Sequence, residues 1–256
     1  MRILVLGDVV GEPGRRLVEA YLPDLRRETG ADLAVVNGEN AAHGHGITDS
    51  IAREWFEKLG VDVITTGNHA FDVKNIEAYF RVEPRLIRPA NHPPDTPGNG
   101  WVKLHTSSGA EVLIINLIGR VHMGPADCPF RCVDAILQKE RADLVIVDMH
   151  AEATSEAQAM GHHLDGRAAA VLGTHTHVPT LDAKVLPGGT AYVTDIGMTG
   201  PYDGVIGMKK EASLGRFLRV QRPRYEVSTG DLQLHAVLVT TEGRKATKIE
   251  RILRTL

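Results

Sequence analysis

The chain has 256 residues, of which 43% are hydrophobic and 24% are charged, and its formal net charge is −3. This composition is that of a folded globular protein and excludes a disordered or fibrous one, while the small net charge gives no electrostatic reason to expect a long nucleic acid as partner. No apolar run approaches the ~20 residues that cross a bilayer, and the N-terminal residues lack the pattern of a secretory signal, so we expect a cytoplasmic protein without a membrane partner.

The predicted elements alternate between apolar, strand-like runs and amphipathic, helix-like segments as far as residue 175. Strands are predicted at 2–8, 31–40, 61–69, 110–119, 143–150 and 168–175. Helices are predicted at 14–30, 49–60, 128–142 and 151–164. Pro23 is expected to kink or break the first helix, and Asp49 or Ser50 to cap the second. Strands alternating with helices of this length indicate βαβ units and a largely parallel sheet.

The last third of the chain changes character. Residues 182–195 and 231–254 have the pattern of hairpins with glycine turns, which predicts a second, more antiparallel sheet packed on the first. The clearest loop, 90–100, is too short for a convincing linker, so we expect one domain over 1–256. The hairpins also leave a homo-oligomer open as an alternative to a monomer, since edge strands occur in both.

Two cysteines occur, Cys128 and Cys132. Their spacing would suit a metal or a disulfide, but no second pair completes a structural zinc site. Since cytosolic proteins keep their thiols reduced, we expect free thiols, with a role that the sequence leaves open.

Polar side chains with metal-binding atoms stand where the predicted strands end. These residues are Asp8, Glu39, Asn40, Asn68, His69, His150, His175 and His177. Because ligands in open α/β sheets collect at the carboxyl ends of the strands, we expect the side chains to converge. Each could singly be a polar residue that meets water, and the closely spaced His175 and His177 could be surface residues. The presence of all eight at the ends of predicted strands favours a binding site.

Together the eight residues offer two carboxylates, two carboxamides and four imidazoles. This mixed oxygen and nitrogen set suits divalent ions such as Mn, Fe or Zn, and it exceeds the needs of one tetrahedral ion. Two ions about 3.5–4 Å apart, sharing a carboxylate, would use the whole set. The sequence therefore predicts a two-metal centre of the kind that clamps the oxygens of a phosphoryl displacement.

The order of these groups also resembles a known family. The segments "GD", "GEN", "GNH", "H" and "GTHTH" resemble the motifs of the metallophosphoesterase (calcineurin-like) superfamily, which implies an α/β fold with two packed mixed β-sheets flanked by helices, an αββα sandwich. Val10 stands where that pattern has a histidine ligand, and Glu39 where it has aspartate. With "NGENAAHGHGIT", "LIGRVHMGP" and "TDIGMTGP", these departures resemble the small bacterial YmdB-like phosphoesterases over essentially the whole chain.

The resemblance implies a ligand set for each metal. One ion would be held by Asp8, Glu39, Asn40 and His177, with Asn40 replacing the ligand missing at Val10. The second would be held by Glu39, Asn68, His150 and His175, which makes Glu39 the bridge. The oxygen-rich first set favours Fe or Mn as the cofactor, with Zn or Mg as alternatives.

The same resemblance implies a mechanism. A metal-bridging hydroxide would attack phosphorus, and His69 would protonate the leaving group as general acid. The alternative for His69 is an outer residue that orients Asn68. His43 and His45 flank a glycine beside Glu39 and could touch substrate, although exposed loop residues are the favoured interpretation.

The resemblance favours a phosphodiesterase acting on a small phosphoester, with 2′,3′-cyclic nucleotides as the suggested substrate. A phosphomonoesterase on the same centre and a non-catalytic regulator that binds nucleotide or RNA are the alternatives. The choice between monoester and diester depends on cations for a dianionic phosphate, for which Arg15, Arg16 and Arg120 are candidates.

Overall fold

Two six-stranded sheets lie face to face in the computed structural model, which describes residues 1–107, 109–219 and 224–256. The first sheet has the order β10 (Gly200–Pro201), β11 (Leu232–Glu242), β1 (Arg2–Leu6), β2 (Leu33–Asn37) and β3 (Val63–Thr65), and β12 (Lys245–Thr255) also pairs with β11. The second has the order β4 (Trp101–His105), β5 (Glu111–Ile118), β6 (Leu144–His150), β7 (Ala170–Thr174), β9 (Ala191–Val193) and β8 (Lys184–Val185).

Both sheets combine parallel and antiparallel pairs. In the first, β1, β2 and β3 are parallel and β11 runs antiparallel to β1. In the second, β5, β6, β7 and β9 are parallel and β4 and β8 are antiparallel to their neighbours. Two mixed sheets are what the family resemblance implies, so that expectation is confirmed.

Helices cover the outer faces of the sheets. They are α1 (Gly11–Thr29), α2 (Asp49–Lys58), α3 (Ile76–Val82), α4 (Pro129–Lys139) and α5 (Thr154–His163), whereas α6 (Lys210–Leu218) is mostly exposed and buries only Ser213. Successive strand residues point to opposite faces, so Ile3 and Val5 enter the core between the sheets, whereas Leu4 and Leu6 pack with α1. Ile114 and Ile115 divide in the same way between the central core and the core under α4 and α5. The layers are therefore αββα.

The assignment of the C-terminal hairpin to the second sheet was wrong. Strand β11 pairs antiparallel with β1 in the first sheet, and the second sheet is built from β4 to β9. The reason is burial: Val237 and Val239 of β11 lie in the core between the sheets, beside Ile3 and Val5. A strand with an apolar face on each side needs a place inside a sandwich.

The ends and interior of two helices also differ from expectation. Helix α1 continues through Pro23, which lies on the exposed side, where water can bond the carbonyl that proline leaves unpaired. Helix α2 is capped by Thr48, whose Oγ1 accepts a hydrogen bond from the Ile51 amide at 3.2 Å, and not by Asp49 or Ser50. Within the described residues, no helix is both long and apolar enough to span a membrane.

Candidate metal centre

The strand register brings the carboxyl ends of both sheets to one edge of the sandwich. Asn37 pairs with Thr65 at the ends of β2 and β3, and His150 pairs with Thr174 at the ends of β6 and β7. The polar residues predicted from the sequence follow these ends or occupy them. Asp8, Glu39, Asn40, His150 and His177 are all buried there, so each of their polar atoms needs a partner inside the protein.

His150 is the centre of the first group of side chains. Its Nε2 atom lies 3.0 Å from Glu39 Oε1, 3.0 Å from Asn68 Oδ1 and 3.0 Å from His175 Nδ1. Gly67 leaves the space for this group, since a Cβ atom there would lie 2.2 Å from His150 Nε2 and 2.4 Å from Glu39 Oε2. The four residues of the predicted second ligand set are therefore together.

A buried chain of hydrogen bonds holds the other side of the His150 ring. Thr174 Oγ1 donates to Asp148 Oδ1 at 2.7 Å and so accepts from His150 Nδ1 at 2.9 Å. The second oxygen of Asp148 accepts from Thr65 Oγ1 and Asn37 Nδ2. Since Nδ1 carries the proton of the neutral ring, Nε2 presents its lone pair to the oxygen and nitrogen atoms around it.

His175 is oriented in a similar way. Its Nε2 atom lies 3.1 Å from the carboxylate of Glu152, which accepts a hydrogen bond from the ring N–H. This leaves Nδ1 without a proton and facing His150. With His150 in its neutral form, lone pairs of Glu39, Asn68, His150 and His175 thus point at one another. Such a convergence is stabilised by a cation between them.

The second group contains Asn40 and His177. His177 Nδ1 donates to the Ile206 carbonyl at 3.0 Å, so its Nε2 lone pair faces Asn40 Oδ1 at 3.3 Å. The Asn40 amide nitrogen donates to the Gly44 carbonyl, which assigns its oxygen to the site. Val10 instead packs against Gly200 and Gly207, in agreement with its absence from the predicted ligand set.

Asp8 lies beside His150 and His175 and has a buried oxygen without a hydrogen-bond partner among the described residues. Its Oδ2 accepts from the His175 amide at 3.1 Å, but Oδ1 makes no hydrogen bond to any described residue and lies 3.8 Å from His150 Nδ1. A buried unpaired carboxylate oxygen is costly unless a cation or water satisfies it. Together with the facing lone pairs, this oxygen shows that the donor set fits a metal centre.

The electrostatics of the centre also favour positive charge. Burial raises the pKa of Asp8 well above its usual range. Burial opposes protonation of His150, but the charges of Glu39 and Asp8 outweigh it and raise its pKa to about 9. For Glu39, burial is likewise outweighed by His150, and its pKa falls to about 2. A metal ion would compete with the His150 proton for the same nitrogen.

His69 lies beside this centre with a different set of partners. Its amide donates to Glu39 Oε2 at 3.0 Å, while its ring Nδ1 donates to Asp72 Oδ2 at 2.6 Å. The His69 side chain is 28% exposed, so solvent and substrate can reach it. The structure thus joins the His69 ring to Asp72 and the His69 backbone to Glu39.

Sequence reasoning missed two acidic residues near the site, Asp72 and Asp148, and one contact of His45. His45 lies against His69 with ring centroids 4.7 Å apart, although both His43 and His45 are exposed as expected. The signal for Asp72 was present, since an acid three residues after His69 is within reach of its ring. Asp148 also precedes His150 by two residues on one strand face. The sequence placed His45 in a loop beside Glu39, but it did not indicate the contact of its ring with His69.

The three candidate arginines make different contacts. Arg15 donates through Nη1 to the Ala41 carbonyl and so supports the loop after Asn40. Arg16 pairs with Glu12 at 3.8 Å on the surface of α1. Arg120 is exposed, and its amide, with that of Val121, donates to the Glu156 carboxylate.

Comparison with known proteins places these features in a family context. Residues 4–252 match the family model described as YmdB-like protein. The chain is 47% identical over 259 residues to a 2′,3′-cyclic-nucleotide 2′-phosphodiesterase of Bacillus subtilis (strain 168), with 99% of this chain and 97% of that protein covered. A crystal structure of a hypothetical protein from Thermus thermophilus has a TM-score of 0.95 at 46% identity and covers 100% of this chain and 99% of its own. A crystal structure of a phosphatase from Mycoplasma pneumoniae has a TM-score of 0.94 at 35% identity, with 100% and 93% covered.

Proposed function

Because the chain belongs to the YmdB-like family, we propose that it hydrolyses small phosphodiesters at a two-metal centre, with 2′,3′-cyclic nucleotides as its substrates. The reaction class, hydrolysis of a phosphoric ester, agrees with the names of the B. subtilis and M. pneumoniae relatives. The observation that carries the two-metal proposal is the convergence of lone pairs from both sheets, together with the unpaired Oδ1 of Asp8.

Two ligand sets are proposed at the shared edge. The first is Asp8, Glu39, Asn40 and His177, and the second is Glu39, Asn68, His150 and His175. Oxygen atoms predominate in the first set, which favours Mn or Fe. Bound there, the ions would activate a water molecule as nucleophile and offset the charge of the phosphate.

His69 completes the chemistry as general acid. The bond from water oxygen to phosphorus forms while the bond from phosphorus to the nucleoside oxygen breaks, and that oxygen needs a proton. In the imidazolium form of His69, Nδ1 donates to Asp72 while Nε2 carries the second proton, which it gives to the leaving oxygen, so that the ring ends neutral and still bonded to Asp72. The name of the B. subtilis relative specifies the 2′ ester, so we propose release of the 2′ oxygen with a 3′-phosphate as product.

The arginine contacts favour a diester over a monoester. A dianionic monoester needs additional positive charge, but Arg15 is bonded to the Ala41 carbonyl and Arg16 is paired with Glu12. Of the three candidates, only Arg120 keeps a side chain without a partner assigned above. A non-catalytic binding role would not require a partly exposed His69 paired with Asp72 beside the two proposed ligand sets.

The test is a substrate panel with controlled metal content. Protein stripped with a chelator should lose hydrolysis of bis-p-nitrophenyl phosphate and 2′,3′-cyclic AMP, and Mn or Fe should restore it. His150→Asn should stay inactive after metal addition, whereas His162→Asn, which removes an exposed imidazole on α5, should behave like the wild type. Metal-loaded protein that is inert toward monoesters and diesters would support the binding-module alternative, and faster hydrolysis of p-nitrophenyl phosphate would support the phosphomonoesterase.

A further inference from the structure

A second cluster of metal-binding side chains lies at the mouth of the candidate metal centre. His45, His69 and Asp72 each offer one ligand atom, and these atoms lie within 4.8 Å of one another. None of the three belongs to the two ligand sets proposed above. His69 and Asp72 are joined by a hydrogen bond of 2.6 Å, and the ring of His45 lies beside this pair.

The loop that carries His45 is built to hold it in that position. Gly44 and Gly46 have φ angles of 93° and 71°, a conformation that favours glycine. The Ala42 amide donates to the Gly46 carbonyl at 2.8 Å, and the His45 amide donates to the Ala42 carbonyl at 2.9 Å. A Cβ atom on Gly46 would lie 2.6 Å from Val73, so the loop and the segment after His69 pack closely.

This packing fixes one imidazole against another. The rings of His45 and His69 are 4.7 Å apart and tilted by 51°. With the Asp72 carboxylate, the two rings present three ligand atoms close to one point. This arrangement would let both rings and the carboxylate bind one cation.

We propose that His45, His69 and Asp72 form a third cation site, selective for Zn²⁺ over Mn²⁺. Two imidazole nitrogens and one carboxylate oxygen, with water as the fourth ligand, form a set that suits tetrahedral zinc. Imidazole ligands favour zinc, whereas an oxygen-rich set favours manganese. The site would therefore bind Zn²⁺ at concentrations at which it does not bind Mn²⁺.

Zinc at this site would inhibit the reaction, and this consequence rests on the proposed function of His69. The ion takes the place of the proton that His69 Nδ1 shares with Asp72. A neutral imidazole bound to zinc is a far weaker acid than an imidazolium. Zinc binding and proton donation by His69 thus exclude each other, and excess zinc switches the enzyme off.

The test compares His45→Asn with His43→Asn. Both remove an exposed imidazole from one loop, and asparagine tolerates the positive φ of 54° at residue 43. Equilibrium dialysis against zinc should give three ions per chain for the wild type and His43→Asn, and two for His45→Asn. Anomalous scattering at the zinc edge should place the third ion between His45, His69 and Asp72.

Activity is measured separately, on Mn-loaded protein titrated with zinc. His45→Asn should match the wild type without zinc and need a zinc concentration higher by roughly tenfold or more for half inhibition. Because all variants share the same main centre, exchange of its manganese would affect them equally. Three bound ions without any hydrolysis would refute the proposed function but not the proposed zinc site.

Two outcomes would overturn the proposal itself. One is hydrolysis by a wild type that binds only two zinc ions, with no anomalous peak at His45. The other is equal zinc inhibition of wild type and His45→Asn. Either would make the contact between the two rings a packing feature of the loop.

Discussion

Replacing Thr174 with valine removes one hydroxyl from the buried chain of hydrogen bonds that orients His150. Valine nearly matches threonine in shape, so the change acts mainly on hydrogen bonding. Thr174 is 1% exposed and His150 is 0% exposed, so water cannot readily replace the hydroxyl. His150 Nδ1 loses its acceptor at 2.9 Å, and Asp148 loses a donor at 2.7 Å.

The size of the effect follows from these contacts. A partner of this kind behind a metal-binding histidine is worth roughly 10–100-fold in metal affinity or activity, or about 1.4–2.8 kcal/mol. This agrees with the cost of about 1–3 kcal/mol for a buried donor left unsatisfied. We therefore expect Thr174→Val to weaken Mn binding by that factor and to be less stable to urea.

The assay is a competition between the protein and a chromogenic chelator for Mn, together with hydrolysis of bis-p-nitrophenyl phosphate. Thr174→Ser is the matched control, because it keeps the hydroxyl and should retain most of the affinity. The reasoning is refuted if Thr174→Val binds metal as tightly as the wild type. It is equally refuted if serine and valine weaken binding to the same extent, since the loss would then come from packing.

Three further predictions concern single side chains. His69→Ala should keep its metal content while turnover falls by roughly 10²–10⁴, as metal analysis and steady-state kinetics will show; loss of metal would make His69 a structural residue. Glu39→Ala should do the reverse and empty at least one metal site, so a variant that retains both ions contradicts the bridging role. Burial, aided by the charge of Arg251, lowers the pKa of His235 to about 4, so protonation destabilises the folded state. The contribution of His235 to the free energy of unfolding is fully present above pH 6.5 and should fall by roughly 3 kcal/mol as the pH drops to about 4. In urea titrations His235→Gln should flatten this pH dependence. An unchanged pH profile in that variant would contradict the prediction.

The sequence indicated which strand ends lie near one another better than it indicated which sheet the C-terminal hairpin joins. Asp8, Glu39, Asn68 and His150 could be assigned to one edge because each follows or ends an apolar strand, and parallel strands end on the same side. The αββα class followed from the resemblance of these motifs to a family. By contrast, the C-terminal hairpin was assigned to the wrong sheet.

The physical reason is that the pairing of strands depends on contacts between residues that are far apart in the sequence. Alternation of apolar residues marks β1 and β11 as strands, but backbone hydrogen bonds are the same for any partner, so only packing of the whole core pairs them. The contacts of His45 with His69 and of Thr174 with Asp148 likewise depend on segments that meet only after folding. The sequence by itself determined which chemistry the strand ends carry, and the tertiary structure decided which side chains orient that chemistry and which neighbour can interfere with it.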